Sequence, residues 1–517
     1  MPKQLTHQLF SLIKSLTKAE KRHFSIYSKR NSVDKEMKFL ALFQELDMQG
    51  EYDENRLLKK IPQITKHQLS NLKAHLYDQL LVSLRLLNRK EGSIKLHEII
   101  DFAMVLYKKG LYHQSLSQLT KAKEKAQTLK QEIILLEIIE FEKLIESNHI
   151  TRSHETRSEE LTKMAGQTRN LLITESEWSD FSIQLYGLYL KIGHVRNERD
   201  YEQVKFFFRS GLPKNNQTDI GFYGSLYKYQ SYVWYNFIIQ KFDKCYFYSL
   251  KWLELFEKTP HLKLIEPSLY IKGLHNVISA LFYCYDPNRF NKYHTLLTDF
   301  VKQNESNFSL KTKTQAFLFT ETAQLNHFFL FAEFEKGVAH LAELETQITQ
   351  YSNYIDEHRK MVFYYKMACV KFGAADFKGC ILYLNEIINN KSTYLKEDLQ
   401  CFSRILSLIA HYELGDNDLI DYQIRSTYRF LLKMKDVQQV QKEILNFLKN
   451  SVTMNRKNLS NEFTNLKNRL EKIFDNKYER RPFLYLDLLS WLESKIDNLP
   501  VAVVVKKRMK ENKGYRF

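Results

Sequence analysis

Apolar side chains three and four residues apart mark one helical face after another along this chain. Phe39, Leu42, Phe43 and Leu46 hold that spacing, and Leu69, Leu72, Leu76, Leu80 and Leu84 hold it again. Over residues 1–90 the pattern predicts a helix near Thr6 to Ser15 and a second opened by the capping box Thr17-Lys18-Ala19-Glu20 and carrying Phe24 and Ile26. A third runs through Phe39 to Leu46. Asp53 to Ile61, a break at Pro62 and a long helix from Thr65 to about Asn88 complete the segment.

Beyond it a phrase repeats: an apolar helix, a tight turn, an aromatic residue, a small residue three positions later and a large apolar residue four after that. Tyr107, Gly110, Tyr112, Ser115, Leu119 and Ala122 form one copy; Phe372, Ala375, Asp376, Phe377, Cys380, Leu384 and Ile387 form another. Fainter copies run through Phe242, Cys245 and Trp252, through Phe290, Tyr293, Leu297 and Phe300, through Phe334, Gly337, Leu341 and Leu344, and through Gly415, Asp416, Ile420 and Ile424. A degenerate copy near Asp200, Tyr201, Val204 and Phe208 has an expanded turn. Helices are further predicted over Val437 to Leu448, Leu459 to Ile473 and Phe483 to Ile496, with Pro500 ending the helical region.

At the turn and in the second helix of each pair, these copies resemble the tetratricopeptide repeat over about residues 95–435. The resemblance implies an all-α fold: a right-handed α-solenoid of tetratricopeptide-like helix-turn-helix pairs over 91–435. A basic helical bundle over 1–90, helices over 436–498 and a basic tail over 499–517 flank it. One helix pair cannot bury its apolar face alone, and stacking makes a continuous core and a curved surface. By the same resemblance the first helix of each pair lines a groove, at positions that include His97, Met104, Tyr107, Tyr227, Trp234, Phe237, Phe319, Tyr365 and Phe372. These residues lack the Lys/Asn set that grips a C-terminal carboxylate and suit an apolar helix or strand of another protein. Packing between neighbouring repeats is the plainer use of any single one.

Composition sharpens this picture. Only 8 Pro and 15 Gly in 517 residues leave little for turn-rich β architectures. No stretch approaches the roughly 18 to 20 consecutive apolar residues of a membrane span, so no membrane insertion is expected. The first residues have no apolar core and no small-residue cleavage site, which points to the cytoplasm. Five widely spaced cysteines, Cys245, Cys284, Cys369, Cys380 and Cys401, read as reduced packing residues rather than a disulfide framework or zinc site. The net charge of +17 sits at the ends: residues 1–90 hold 17 Lys/Arg against 9 Asp/Glu, and 503–517 hold 6 against Glu511. Attraction to an acidic partner or to nucleic acid is expected there.

No GxSxG, GxxxxGK[ST], HExxH, GxGxxG or DFG occurs, so neither an enzyme nor a cofactor is expected. Residues 222–256 carry 14 aromatics, too many to face inward together, which predicts an exposed protein-contact patch. The helix after Pro62 loosely resembles the second helix of a helix-turn-helix, with Lys66, His67, Asn71 and Lys73 as its early polar residues; its leucine stripe favours a structural cap. Val501 to Val505 reads either as a strand added to a partner's sheet or as a cover on the last helix. Lys506, Lys507, Arg508, Lys510, Lys513 and Arg516 are left to meet an acidic surface or RNA. The sequence thus predicts a non-catalytic scaffold or adaptor for another protein. The alternatives are a DNA-binding transcription regulator using the N-terminal helices and an RNA- or ribosome-associated factor.

Overall fold

The computed structural model describes residues 2–30, 35–90, 92–148, 156–214, 220–390, 397–434, 439–451, 456–476, 478–479 and 487–511. Among them are twenty-five α-helices and no strand. No helix among the described residues is long and apolar enough to cross a membrane. The chain divides into two compact units, Met1–Arg169 and Asn170–Phe517.

In the first unit, α1 (Pro2–Ser15), α2 (Lys18–Arg30), α3 (Lys35–Met48), α4 (Glu54–Lys60) and α5 (Lys66–Leu87) enclose a core of Leu9, Ile13, Phe24, Leu42, Leu46, Leu57, Leu76 and Leu80. The predicted capping box opens α2: the Thr17 N–H donates to the Glu20 carboxylate at 2.6 Å, and the Glu20 N–H donates back to Thr17 Oγ1 at 3.3 Å. Pro62 does interrupt the chain between α4 and α5. The α5 stripe Leu69, Leu76 and Leu80 is wholly buried, because this helix packs on α1, α2 and α3. A second core follows, where α6 (Gly92–Lys108) packs on α7 (Tyr112–Leu129), α7 on α8 (Glu132–Asn148), and Leu161 and Ala165 of α9 (Arg157–Ile192) close it.

The second unit continues α9 through α10 (Glu198–Gly211), α11 (Gly221–Ile238), α12 (Phe242–Lys258), the short α13 (Leu262–Ile265), α14 (Pro267–Tyr283), α15 (Pro287–Asn304), α16 (Leu310–Leu330) and α17 (Phe334–Gln350). It goes on through α18 (Glu357–Gly373), α19 (Phe377–Ile388), α20 (Glu397–Leu414), α21 (Asn417–Met434), α22 (Gln439–Ser451), α23 (Arg456–Asp475), α24 (Leu488–Ile496) and α25 (Val501–Lys510). Each helix from α14 to α24 packs on its successor. In addition α14 touches α16, α16 touches α18 and α18 touches α20, so alternate helices also adjoin.

One turn recurs between paired helices. Its marker is a residue in the left-handed region: Gly110, Gln240, Tyr285, Ala332, Ala375 and Gly415, with φ between +50° and +76°. In each turn the following N–H donates to the carbonyl five residues back: Leu111 to Leu106 (3.0 Å), Lys241 to Asn236 (2.8 Å), Asp286 to Leu281 (3.1 Å), Glu333 to Phe328 (2.9 Å), Asp376 to Lys371 (2.9 Å) and Asp416 to His411 (3.2 Å). This is the Schellman closure, which satisfies a carbonyl left open at a helix end. Five residues after the marker the chain buries Ser115, Cys245, Phe290, Gly337 and Cys380; twelve after it, Ala122, Trp252, Leu297, Leu344 and Ile387. The small members let the paired helices close up. Ser115 Oγ donates to the Ala103 carbonyl at 2.8 Å, and Cys245 Sγ reaches the Val233 carbonyl at 3.6 Å from the corresponding place.

The last described segment departs from expectation. Pro500 does not end the helical region; it is the N-cap of α25, and Val501 to Val505 are helical rather than a strand. Packing overrides the β preference of the valines: Val505 is buried against Ala332 and Phe334, with Phe329, Ala374, Val501 and Ala502 around it. Just upstream, Trp491 Nε1 donates to Glu413 at 2.7 Å, and Lys495 pairs with the same carboxylate. All five cysteines are free; Cys245, Cys380 and Cys401 are buried, Cys284 and Cys369 partly so.

Candidate protein-binding face

The nine residues assigned to a groove from sequence are divided between the two units. Three lie in the first unit. His97 is exposed on α6, with Nδ1 2.9 Å from the Ser93 carbonyl, and Met104 is exposed beside it. Tyr107 is half-buried, edge-on to Tyr112 and Phe141 with centroids 5.7 and 5.5 Å away. In the second unit Tyr227, Trp234 and Phe237 all point into a packed aromatic layer. Trp234 sits 5.1 Å from Tyr186 and 5.3 Å from Tyr189, and Phe237 lies 4.7 Å from the His194 ring. Tyr365 and Phe372 are core residues, 4% and 5% exposed, gathered with Met361, Ala368, Cys380 and Leu384. They do not line an open surface, because α18 turns them toward α19 and α20.

The expected exposed patch over residues 222–256 is also packed away. Phe242, Trp252 and Phe256 are fully buried, Tyr232 stacks on Tyr248 at 4.4 Å, and Tyr235 stacks on Phe208 at 3.9 Å. Phe247 alone of that set is exposed. The aromatic surplus is absorbed by ring-on-ring contacts across α9 to α12.

Phe319 remains. It is half-buried on α16 and lies flat on the His275 ring of α14, centroids 3.9 Å apart and planes within 7°. Around this stack, α14, α16 and α18 present one partly open face. On α14 it carries Lys272, His275 and Phe282; on α16, Phe319, Asn326 and Phe329; on α18, Arg359 and Lys366. Lys366 Nζ donates to Asn326 Oδ1 at 2.6 Å and stands 5.7 Å from the centroids of both Phe282 and Phe329, so it joins the three helices. Lys272 Nζ stands 5.7 Å over the Trp252 ring. Burial pushes the Lys366 ammonium down to about 8, partly offset by the Cys369 thiol. Burial also lowers Lys272, with Arg359 adding to it, and burial drives His275 down to about 3, assisted by Lys366, Lys272 and Arg359. His275 is therefore a neutral ring on the floor of a positive cluster.

Sequence reasoning missed Lys272, His275, Arg359 and Lys366. The nearest signal was on α18, where the face is carried by Lys366 and not by its neighbour Tyr365. One helical residue is a rotation of about 100°, enough to exchange core for surface. Phe319 is the one of the nine that sits on this face.

The basic ends divide. Lys66, His67 and Asn71 are exposed at the start of α5, but Lys73 is only 7% exposed. It donates to Thr6 Oγ1 at 2.8 Å and Tyr52 Oη at 2.9 Å and pairs with Glu54 at 3.4 Å, so it is not free to meet a phosphate. At the other end Lys506, Lys507 and Lys510 are exposed on α25, whereas Arg508 is mostly covered and 3.4 Å from Glu493. Lys513 and Arg516 lie outside the described residues. No family model matches the chain, and no curated protein or solved structure matches it.

Proposed function

We propose that this chain is a non-catalytic scaffold or adaptor, a right-handed solenoid of tetratricopeptide-like helix pairs that receives a segment of a partner protein. The recurrent turn supports the repeat reading: the same left-handed residue, the same closing hydrogen bond and the same buried positions return at 240, 285, 332 and 375. Contacts between alternate helices α14, α16, α18 and α20 support serial stacking, since those are the first helices of successive pairs.

The observation that carries the binding reading is the face on α14, α16 and α18. Adjacent positions on these helices, such as Val277, Ala323, Met367 and Val370, are sealed in the core, while Lys272, His275, Phe319 and Lys366 stay partly open. A stacked ring pair, two further phenylalanines and cations held among them offer apolar area and charge together, as an anchoring site for a peptide segment does.

The test is affinity capture by the full-length chain, comparing the native protein with Phe319→Asp. The substitution places a carboxylate where His275 now stacks. Circular dichroism checks that helicity is kept. A stoichiometric partner retained by the native chain and lost with Phe319→Asp is the expected result; a partner held equally by both would refute the assignment of this face.

A further inference from the structure

The C-terminal half of α9 has two sides of different character. One carries Trp178, Phe181 and Leu185 into the core, against Phe208 of α10 and Tyr232 of α11. The other is open. Along it Ser176, Asp180, Ile183, Gly187 and Leu190 alternate at spacings of four and three residues, and Lys191 follows at the edge. That alternation is the seam of a paired helix, in which a side chain of one helix enters a hole on the other. Ile183 is 68% exposed and Leu190 54%, so two large apolar side chains of the seam stand in solvent.

Gly187 is the second sign. Glycine is a poor helix former, and inside a helix it usually answers to a neighbour that needs the room. Here a Cβ would meet nothing within 4 Å beyond its own helix backbone, so the described chain supplies no such neighbour. One turn before this hole stands the Ile183 knob. Asp180 and Lys191 are exposed on either side, and neither has a hydrogen bond or ion pair among the described residues.

These positions are arranged about one point. When a second copy of α9 is laid end for end about the level of residue 185, Ile183 of each copy falls opposite Gly187 of the other. Asp180 of each falls beside Leu190 and Lys191 of the other. Every contact is thereby made twice, the condition for a surface that pairs with itself about a two-fold axis. Each hole receives a knob and each charge an opposite charge. With one acid and one base, the stripe has no net charge to attract a polyanion.

We propose that the chain forms an antiparallel two-fold dimer through α9, with Ile183 seated at Gly187 and Asp180 paired with Lys191 of the second copy. The contact spans only about four helical turns, so the dimer is weak and reversible. This inference is independent of the binding face on α14, α16 and α18.

Sedimentation equilibrium of the full-length protein, at loadings from about 5 to about 200 µM, should show monomer giving way to dimer. Asp180→Lys and Lys191→Asp each set like charges together in both halves of the contact, and each should weaken the dimer tenfold or more. An equimolar mixture of the two variants should recover the native affinity within a few-fold, and native mass spectrometry should find the mixed dimer in excess over either homodimer. Gly187→Leu, which fills the hole, should abolish the dimer, and circular dichroism checks that every variant keeps its helicity. A monomer at all loadings, native dimer affinity in Asp180→Lys or in folded Gly187→Leu, or a mixture that associates no more tightly than the single variants would each overturn the proposal.

Discussion

Gly337 on α17 lies against both α16 and α18, and Gly337→Ala tests whether a small residue there is a packing requirement. A Cβ there would lie 2.8 Å from Val370 Cγ1 on α18 and 3.2 Å from the Phe328 ring on α16. Carbon atoms pack best at about 3.5–4.0 Å, so Val370 or the helix must move by roughly 0.7 Å or more. Neither neighbour has room, since Val370 is fully buried and Phe328 is 5% exposed. Such overpacking costs about 1–3 kcal/mol, against a gain of about 1 kcal/mol from replacing glycine by alanine inside a helix. The expected net effect is a destabilisation of about 0–2 kcal/mol. Gly187, within α9, supplies the control: no atom lies within 4 Å of its added Cβ, so Gly187→Ala should stabilise by about 1 kcal/mol. Thermal and urea unfolding of both variants, followed by helical circular dichroism, give the comparison. If Gly337→Ala stabilises as much as Gly187→Ala, the close approach of α16, α17 and α18 is wrong.

Four further outcomes follow from named contacts. Ala375 is exposed with φ +59°, so Ala375→Gly should relieve about 1–2 kcal/mol of left-handed strain against an entropic cost of about 0.5–1 kcal/mol. A net stabilisation is expected, and a fall in the urea midpoint would contradict the turn geometry. Lys73→Met should destabilise the first unit by about 1–3 kcal/mol by removing its bonds to Thr6 and Tyr52 and its ion pair with Glu54, whereas exposed Lys66→Glu should leave the midpoint unchanged. Burial and the His327 ring hold His294 down to about 4. Between pH 6.5 and 4 the unfolded chain therefore binds a proton the folded chain refuses, and stability falls by about 2 kcal/mol from pH 7 to 5 on this account. His294→Phe should flatten that slope. His340 behaves oppositely: its bond to Glu321 at 2.7 Å raises it, so its contribution is full below about pH 6.5 and fades as pH rises through the folded value. His340→Gln should accordingly cost more at pH 6 than at pH 8.

Helices and caps were legible because each depends on residues close in sequence. The α2 capping box, the break at Pro62, and the turns at Gly110 and Ala375 needed only local spacing. The turn at Tyr285 was harder to place. Tyrosine is an unusual left-handed residue, and Pro287 stands where the turns at 110, 240, 332 and 375 carry an aromatic, so Phe290 reads as that aromatic when it occupies the buried small-residue position. The face on α14, α16 and α18 was scarcely legible at all. Lys272, His275 and Lys366 are unremarkable polar letters on amphipathic helices, and their meaning comes from the rings that tertiary placement sets against them. The valines of α25 misled for the same reason: Phe329 and Phe334, far away in sequence, decide their conformation.

The most direct measurement places a photo-crosslinking amino acid at Thr322, one turn from Phe319 on α16, and separately at Leu382, 69% exposed on α19. Each full-length protein is irradiated in its native extract and the adducts are identified by mass spectrometry. A binding face on α14, α16 and α18 predicts one dominant protein adduct from position 322, absent from position 382 and lost with Phe319→Asp. Adducts from position 382 alone, or the same adduct in equal yield from both positions, would contradict it.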